Sequence, residues 1–340
     1  MFPGLFLNVR SSLHRTIALL LFPKSIVTFK KGPIMSQVLT ETEVPMPRTL
    51  QKTDWTLLLK RIREGRCTPF LGAGASFGTL PLGAVVAEDW AKEFGYPLED
   101  SDNLIKVSQF VAVEMEDAMY PKEELAARFR KAGRPDFNSP TEPHRFMADL
   151  PLPVYITTNY DDFMVQALRD RGKKPEQEIC RWNSQLYSMP SVLDRLDYVP
   201  SEHTPLVFHL HGHAGIPESL VLTEDDYLDF LIAISKKENK LLPPRVQEAM
   251  ANASLLFIGY RIADWNFRVL FRSVVTSLEA GQKRKHVSVQ ILPIGNVTDN
   301  MRKLRVLSYL DKYYQELNTR VYWGKSDEFM SELRKIWEEA

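Results

Sequence analysis

Cys67-Thr68-Pro69-Phe70-Leu71-Gly72-Ala73-Gly74-Ala75-Ser76 decides the fold. Its first five residues form an apolar run of strand length, and two alternating glycines follow at once. Glycine tolerates positive φ and lets backbone N–H groups approach a ligand closely. A helix beginning directly after the turn would add a partial positive charge suited to a pyrophosphate. A tight strand-to-helix turn with no ligand is the plainer alternative. The full G-x-G-x-x-G dinucleotide fingerprint needs glycine where Phe77 stands, and no G-x-x-x-x-G-K-[ST] phosphate loop occurs in the sequence. Both facts argue against an ordinary hydride-transferring dehydrogenase and against ATP hydrolysis.

Working outward, Trp55, Leu58, Leu59 and Ile62 recur at helical spacing over 50–66, with Gly65 as a stop. Residues 84–133 read as helical in three pieces: Val85 to Phe94, Ile105 to Met119 and Leu125 to Phe129. Prolines at 135, 140 and 143 punctuate the chain before another helix over 144–150. Apolar runs of strand length then recur at 153–158, 205–211, 253–259, 286–292 and 319–323, with helical patterns between them. Continuous apolar strands are expected where helices cover both faces of a parallel sheet. The alternation predicts an α/β, Rossmann-like, doubly wound parallel sheet with a helical insertion near 80–145. In such a sheet ligands bind beyond the carboxyl ends of the strands. Gly72–Ser76, Asn159–Asp161, His211-Gly212 and Gly259-Tyr260 each follow an apolar run directly, so all four clusters should share that edge.

Composition narrows the function. Of 340 residues, 44% are hydrophobic and 25% charged, which is ordinary for a globular protein. Basic and acidic side chains balance at 43 each, so no overall basic field recruits nucleic acid. Two cysteines, Cys67 and Cys180, are too few for a disulfide framework or a cysteine-based zinc module; free thiols and a cytoplasmic location are the default reading. The balance hides one asymmetry: Arg10, Arg15, Lys24, Lys30 and Lys31 precede the first acid, Glu41. The apolar run over 17–22 is shorter than the roughly 20 residues that span a bilayer, so no membrane role is expected. A start assigned too early, with Met35 opening the true chain, is preferred over an organellar presequence or a surface helix. Residues 1–45 are therefore set apart as an amino-terminal extension, mis-assigned or disordered, and 46–340 as the folded domain.

Asn159 and His211 are the polar candidates that follow two of the apolar runs. Histidine has an ordinary pKa near 6.5, suited to base work near neutrality. Asparagine offers a donor and acceptors to a hydroxyl or water without adding charge. Taken in order, G-A-G-A-S at 72–76, T-T-N-Y-D at 157–161, L-H-G at 210–212, L-T-E-D-D-Y at 222–227 and G-Y-R-I-A-D at 259–264 resemble the sirtuin-like NAD hydrolase family, in its zinc-free bacterial defence-type branch. The resemblance covers roughly residues 50–325. It implies an NAD-binding domain that breaks the nicotinamide–ribose bond, releasing nicotinamide and ADP-ribose, with NAD as substrate and no metal. Carried over, Gly72, Ala73, Gly74, Ala75 and Ser76 would hold the pyrophosphate. Asn159, with Thr158 beside it, would place a ribose hydroxyl or water. Asp161 would approach the nicotinamide amide. His211, followed by Gly212, would be the catalytic histidine. Gly259 and Tyr260 would lie near the adenosine half, and Asp264 matches a further motif position.

Departures from the family pattern also count. The four-cysteine zinc module is missing, Tyr160 stands where deacetylating sirtuins have isoleucine, and 77–82 replaces their arginine-bearing loop. These put protein deacetylation in doubt and leave water as the acceptor. Kinship further implies antiviral defence by NAD depletion. So potent an activity needs restraint, by a homo-oligomer or by a regulatory partner such as a defence-system ATPase or sensor, and the 80–145 insertion is the candidate lid. A non-catalytic NAD- or ADP-ribose-binding module and an ADP-ribosyltransferase stand as alternatives.

Plainer readings exist for single residues. Asn159 would serve as a helix cap, and His211 as a core histidine. His209, His211 and His213 would line one face for a metal if the strand continued past Gly212. Glu224, Asp225 and Asp226 read as the charged first turn of a helix capped by Thr223 rather than as a metal cluster. Lys236-Lys237 and Lys283-Arg284-Lys285 read as solvated surface, and the aromatic residues Tyr309, Tyr313, Tyr314, Tyr322 and Trp323 as core.

Overall fold

The computed structural model describes residues 50–235, 241–260, 284–291 and 300–340. Residues 1–45, Asp264 and the Lys236-Lys237 pair lie outside the described residues.

Seven parallel strands form one sheet: β1 (Cys67–Leu71), β2 (Val154–Thr157), β3 (Glu176–Ile179), β4 (Leu206–His209), β5 (Ser254–Ile258), β6 (His286–Gln290) and β7 (Thr319–Trp323). Their spatial order is β3-β4-β2-β1-β5-β6-β7. The winding reverses at β1, which pairs with β2 on one side and β5 on the other. That is the topological switch point at which open α/β sheets leave a crevice. β1 pairs with β5 along its whole length but with β2 only at Phe70 and Leu71. Pro69, which has no N–H to give a ladder, stands just before that second pairing begins.

Side-chain alternation along the strands builds two cores. Tyr155, Val207, Leu256 and Ile258 face one layer, with Trp55, Leu58, Leu59 and Ile62 of α1 (Lys52–Arg63). Helices α5 (Pro143–Asp149), α6 (Phe163–Asp170) and α10 (Ser326–Glu339) complete it. Phe70, Ile156, Phe208 and Phe257 face the other layer, with Phe230 of α7 (Glu224–Ser235), Val246 and Met250 of α8 (Pro244–Asn252) and Leu307 and Tyr314 of α9 (Asn300–Glu316). Each such fully buried side chain contributes about 1.5–3 kcal/mol. The doubly wound reading therefore holds. Gly65 ends α1 as expected, with Arg66 N–H reaching back to Arg61 O at 2.8 Å.

One strand was not legible. β3 reads Glu-Gln-Glu-Ile and carries no apolar run, because it closes an edge of the sheet. Its Glu178 is buried by an ion pair with Arg181 at 2.7 Å and by accepting from Ser191 Oγ and Val192 N–H. Among the carboxyl-terminal aromatic residues, Tyr314, Tyr322 and Trp323 are buried as expected; Tyr309 is exposed and stacks on Tyr313.

Between β1 and β2 come α2 (Gly83–Phe94), α3 (Leu104–Glu114), α4 (Tyr120–Lys131) and α5. The first three share a small core of Val86, Ala87, Trp90, Val107, Val111 and Leu125. Leu220 and Leu222 join it from the chain after β4, and Tyr160 packs against it from the loop after β2.

Candidate active site

The four clusters follow β4, β2, β1 and β5, which are adjacent in the sheet, so they do share one edge. The glycine turn differs from expectation. Ala73–Ser76 is a single 3₁₀ turn, and the next α-helix starts only at Gly83. No helix N-terminus therefore follows the glycines directly. Several amides of the turn are also spoken for. Gly72 N–H donates to Ile258 O, Gly74 N–H to Gly259 O and Ala75 N–H to Gly72 O, each at 2.9 Å. Ala73 makes none of these bonds and is exposed.

These bonds press the β1 and β5 turns together. A Cβ on Gly74 would lie 2.8 Å from the Gly259 Cα, and one on Gly259 (φ +79°) would overlap Ala75 N and Gly72 O. Glycine is required on both sides. Tyr260 then lies across Gly72, its phenol donating to Leu71 O at 2.8 Å. Since that bond uses the single phenolic hydrogen, Thr158 Oγ1, also 2.8 Å away, is the donor to Tyr260.

Asn159 is buried and turned toward the glycine turn. Its Nδ2 donates to Gly72 O at 3.1 Å and to Ser76 Oγ at 3.2 Å. Its backbone N–H donates to Thr157 Oγ1. With both amide hydrogens committed, Oδ1 remains as an acceptor and takes no hydrogen bond from a described residue. Ser76 Oγ in turn donates to Asp161 Oδ2 at 3.0 Å, and Asp161 Oδ1 accepts from Phe163 N–H at 3.0 Å. The helix after β2 begins at Phe163, so Asn159 is not its cap; Asp161 provides the capping-type bond. Burial raises the Asp161 carboxyl above its ordinary range, partly opposed by the nearby His144 and by these two hydrogen bonds.

Strand β4 stops at His209, and Gly212 adopts φ +90°. The three histidines consequently do not share a face. The rings of His209 and His213 meet at 4.8 Å, while His211 packs edge-on against Tyr227 at 5.4 Å and Phe230 at 5.1 Å. Among the described residues no group of three His, Cys, Asp or Glu is placed to hold a metal. Burial lowers the His211 pKa to about 3, so the ring is neutral near pH 7 but a weaker base than the ordinary 6.5 expected from the sequence implies.

Backbone bonds join the Asn159 and His211 loops on both sides. Leu210 N–H donates to Thr157 O and Ala214 N–H to Tyr160 O, both at 2.8 Å. The Tyr160 phenol donates to Val221 O at 2.7 Å, and Val221 N–H donates to His211 O at 2.9 Å. The SIR2-like domain family model matches residues 153–317, a segment that opens on β2 and contains both Asn159 and His211. Over that segment the chain is similar to SIR2-like domains. "NAD(+) hydrolase ThsA" of Acinetobacter baumannii is 22% identical over 233 residues, 67% of this chain and 43% of that protein. The protein of the same name from Bacillus cereus is 23% identical, over 68% of this chain and 44% of its own length. "Defense-associated sirtuin 2" of Bacillus subtilis is 27% identical, over 62% and 19%. The chain thus spans less than half the length of these curated relatives.

Several residues around the site take roles that the linear sequence does not announce. Ser76 was expected at a pyrophosphate but bridges Asn159 and Asp161. His144, fully buried, sits 2.7 Å from Glu142 and close to Asp161, although more than fifteen residues before it in the chain. Lys122, Trp182 and Ser219 meet around the histidine loop from separate parts of the sequence. Thr223 and Asp226 form the expected reciprocal cap, with Asp226 N–H on Thr223 Oγ1 at 3.2 Å and Thr223 N–H on Asp226 Oδ2 at 2.9 Å.

Proposed function

We propose that this sirtuin-like chain hydrolyses NAD at the nicotinamide–ribose bond, releasing nicotinamide and ADP-ribose. The observation that carries the reading is the coupling of the Asn159 and His211 loops through Tyr160 and Val221 at one sheet edge. The names of the hydrolase relatives support it.

Nicotinamide in NAD is already a cationic leaving group, so a strong general acid is not needed. The Oδ1 of Asn159 would accept from a ribose hydroxyl or from water, fixing it against the anomeric carbon. As the C–N bond breaks, its electron pair neutralises the pyridinium and the ribose becomes oxocarbenium-like. Water oxygen then bonds to the anomeric carbon, and its proton passes to the neutral His211 imidazole and on to solvent. Positioned acid–base groups of this kind contribute about 10²–10⁴-fold. Asp161, held by Ser76, would face the nicotinamide amide. Ala73 of the glycine turn, with Thr158 and Tyr260, would meet the pyrophosphate and adenosine. Asp264 is assigned on its motif alone.

In biological terms the reading is antiviral defence by NAD depletion in the cytoplasm, with a homo-oligomer or a partner ATPase or sensor restraining turnover. No described helix is long and apolar enough to cross a membrane. The reaction is tested by incubating the protein with adenine-labelled NAD. Equal amounts of free nicotinamide and free labelled ADP-ribose are expected. Label left on a macromolecule would assign ADP-ribosyl transfer instead, and binding without product would assign the non-catalytic module.

A further inference from the structure

The helical insertion reaches the histidine loop through a set of bonds that the chemistry above does not use. Lys122, in the first turn of α4, places its Nζ 2.7 Å from Asp226 Oδ1, and both side chains are buried. The same ammonium stands 5.3 Å over the Trp182 ring, whose Nε1 donates to Ser219 O at 2.8 Å. Asp226 Oδ2 accepts from Leu222 N–H and Thr223 N–H. From α3, Ser108 Oγ donates to Leu222 O, and Gln109 exchanges two bonds with Asp225.

The segment these bonds hold borders His211 at several points. Val221 bonds the His211 carbonyl, and a Cβ on Gly212 would overlap Ser219 O. Asp226 directly precedes Tyr227, and Tyr227 with Phe230 makes the aromatic walls around the imidazole. A buried lysine and aspartate 104 positions apart are costly to desolvate, and losing one partner would leave the other charge buried and unpaired.

We infer that Lys122 is a positioning residue for His211: paired with Asp226 and seated on Trp182, it locks the 219–230 segment so that the imidazole keeps one orientation toward the ribose. The insertion then acts as a fixed wall of the site, fastened through α3 and α4, rather than as a lid that swings over it. This inference rests on the reading of His211 as the base, but the orientation itself is measurable without turnover.

Two readouts on Lys122→Met and Lys122→Arg separate these points. The ring protons of His211 sense the ring currents of Tyr227 and Phe230, so the NMR shift reports the cage with no NAD present. In Lys122→Met that displaced shift should collapse toward the exposed-histidine value; in Lys122→Arg it should persist. In turnover, Lys122→Met should lower kcat by about tenfold to a hundredfold with KM for NAD held within about twofold, and Lys122→Arg should restore most of the rate. If Lys122→Met fails to fold, the Lys122→Met/Asp226→Asn double variant, which leaves no unpaired buried charge, takes its place. An unmoved His211 signal in a folded variant would overturn the inference. A collapsed signal in a protein whose wild type cleaves no NAD would support the positioning and refute the hydrolase reading.

Discussion

The Ser76 hydroxyl donates to Asp161 Oδ2 at 3.0 Å, joining the turn after β1 to the turn after β2. Because the same oxygen accepts from Asn159 Nδ2, one small side chain sets the orientation of both neighbours. Ser76→Ala should leave the fold intact, at a cost of about 1 kcal/mol for the lost hydrogen bonds. It should nonetheless lower NAD turnover by about tenfold or more as Asn159 loses its alignment. Thermal melting and nicotinamide release check the two parts separately. A variant with wild-type turnover would show that this bridge does not position Asn159.

At the switch point, Gly259 and the 72–75 turn approach too closely for any side chain. Gly259→Ala must accommodate both a methyl against Ala75 N and a backbone at φ +79°. A loss above about 2 kcal/mol in urea unfolding is expected. Gly78→Ala provides the comparison, since its φ is also positive but its Cβ would meet nothing within 4 Å. Equal losses in the two variants would contradict the packing described for β1 and β5.

How much of this was open to sequence reading depends on range. The strands along both cores were legible because burial on both faces demands unbroken apolar runs, as in Leu206-Val207-Phe208. Helix α1 was legible through its spacing and Gly65. Edge strand β3 was hidden because Glu178 is neutralised by an arginine three residues later, and no apolar run marks it. Asn159 and His211 announced themselves by standing directly after strands. Lys122 did not, since its partner lies 104 residues away and each looks like an ordinary surface charge in a linear reading.

Acid should destabilise the protein earlier than its carboxylates alone would. Burial holds His209 and His211 at about 3 and His286 at about 4, against 6.5 when exposed. With folded values below the unfolded one, the unfolded chain binds protons first. The stability is complete above pH 6.5 and is lost as pH falls toward the folded values. Asp161 works in the opposite sense, since its raised folded value favours the native state on acidification, and it offsets only part of the effect. Urea unfolding should show lower stability at pH 5 than at pH 7, with net proton uptake on unfolding near pH 5. A midpoint unchanged over that interval would contradict the buried neutral histidines.

Tyr160 should matter more for the rate than for binding. Tyr160→Phe leaves the Val221 carbonyl without its 2.7 Å phenol donor and frees one tie between the Asn159 and His211 loops. A fall in kcat with KM for NAD nearly constant is expected, together with a stability loss of about 1–3 kcal/mol for the unpaired group. A change confined to KM would assign Tyr160 to substrate binding instead.

The most direct test is nicotinamide release from NAD by the wild-type chain, Asn159→Ala, His211→Ala and the double variant, each first shown to be folded. Groups that serve one ribose act as a unit, so each single variant should lose about 10²–10⁴-fold and the double variant little more than the worse single one. Release at the wild-type rate by either single variant would contradict the shared site.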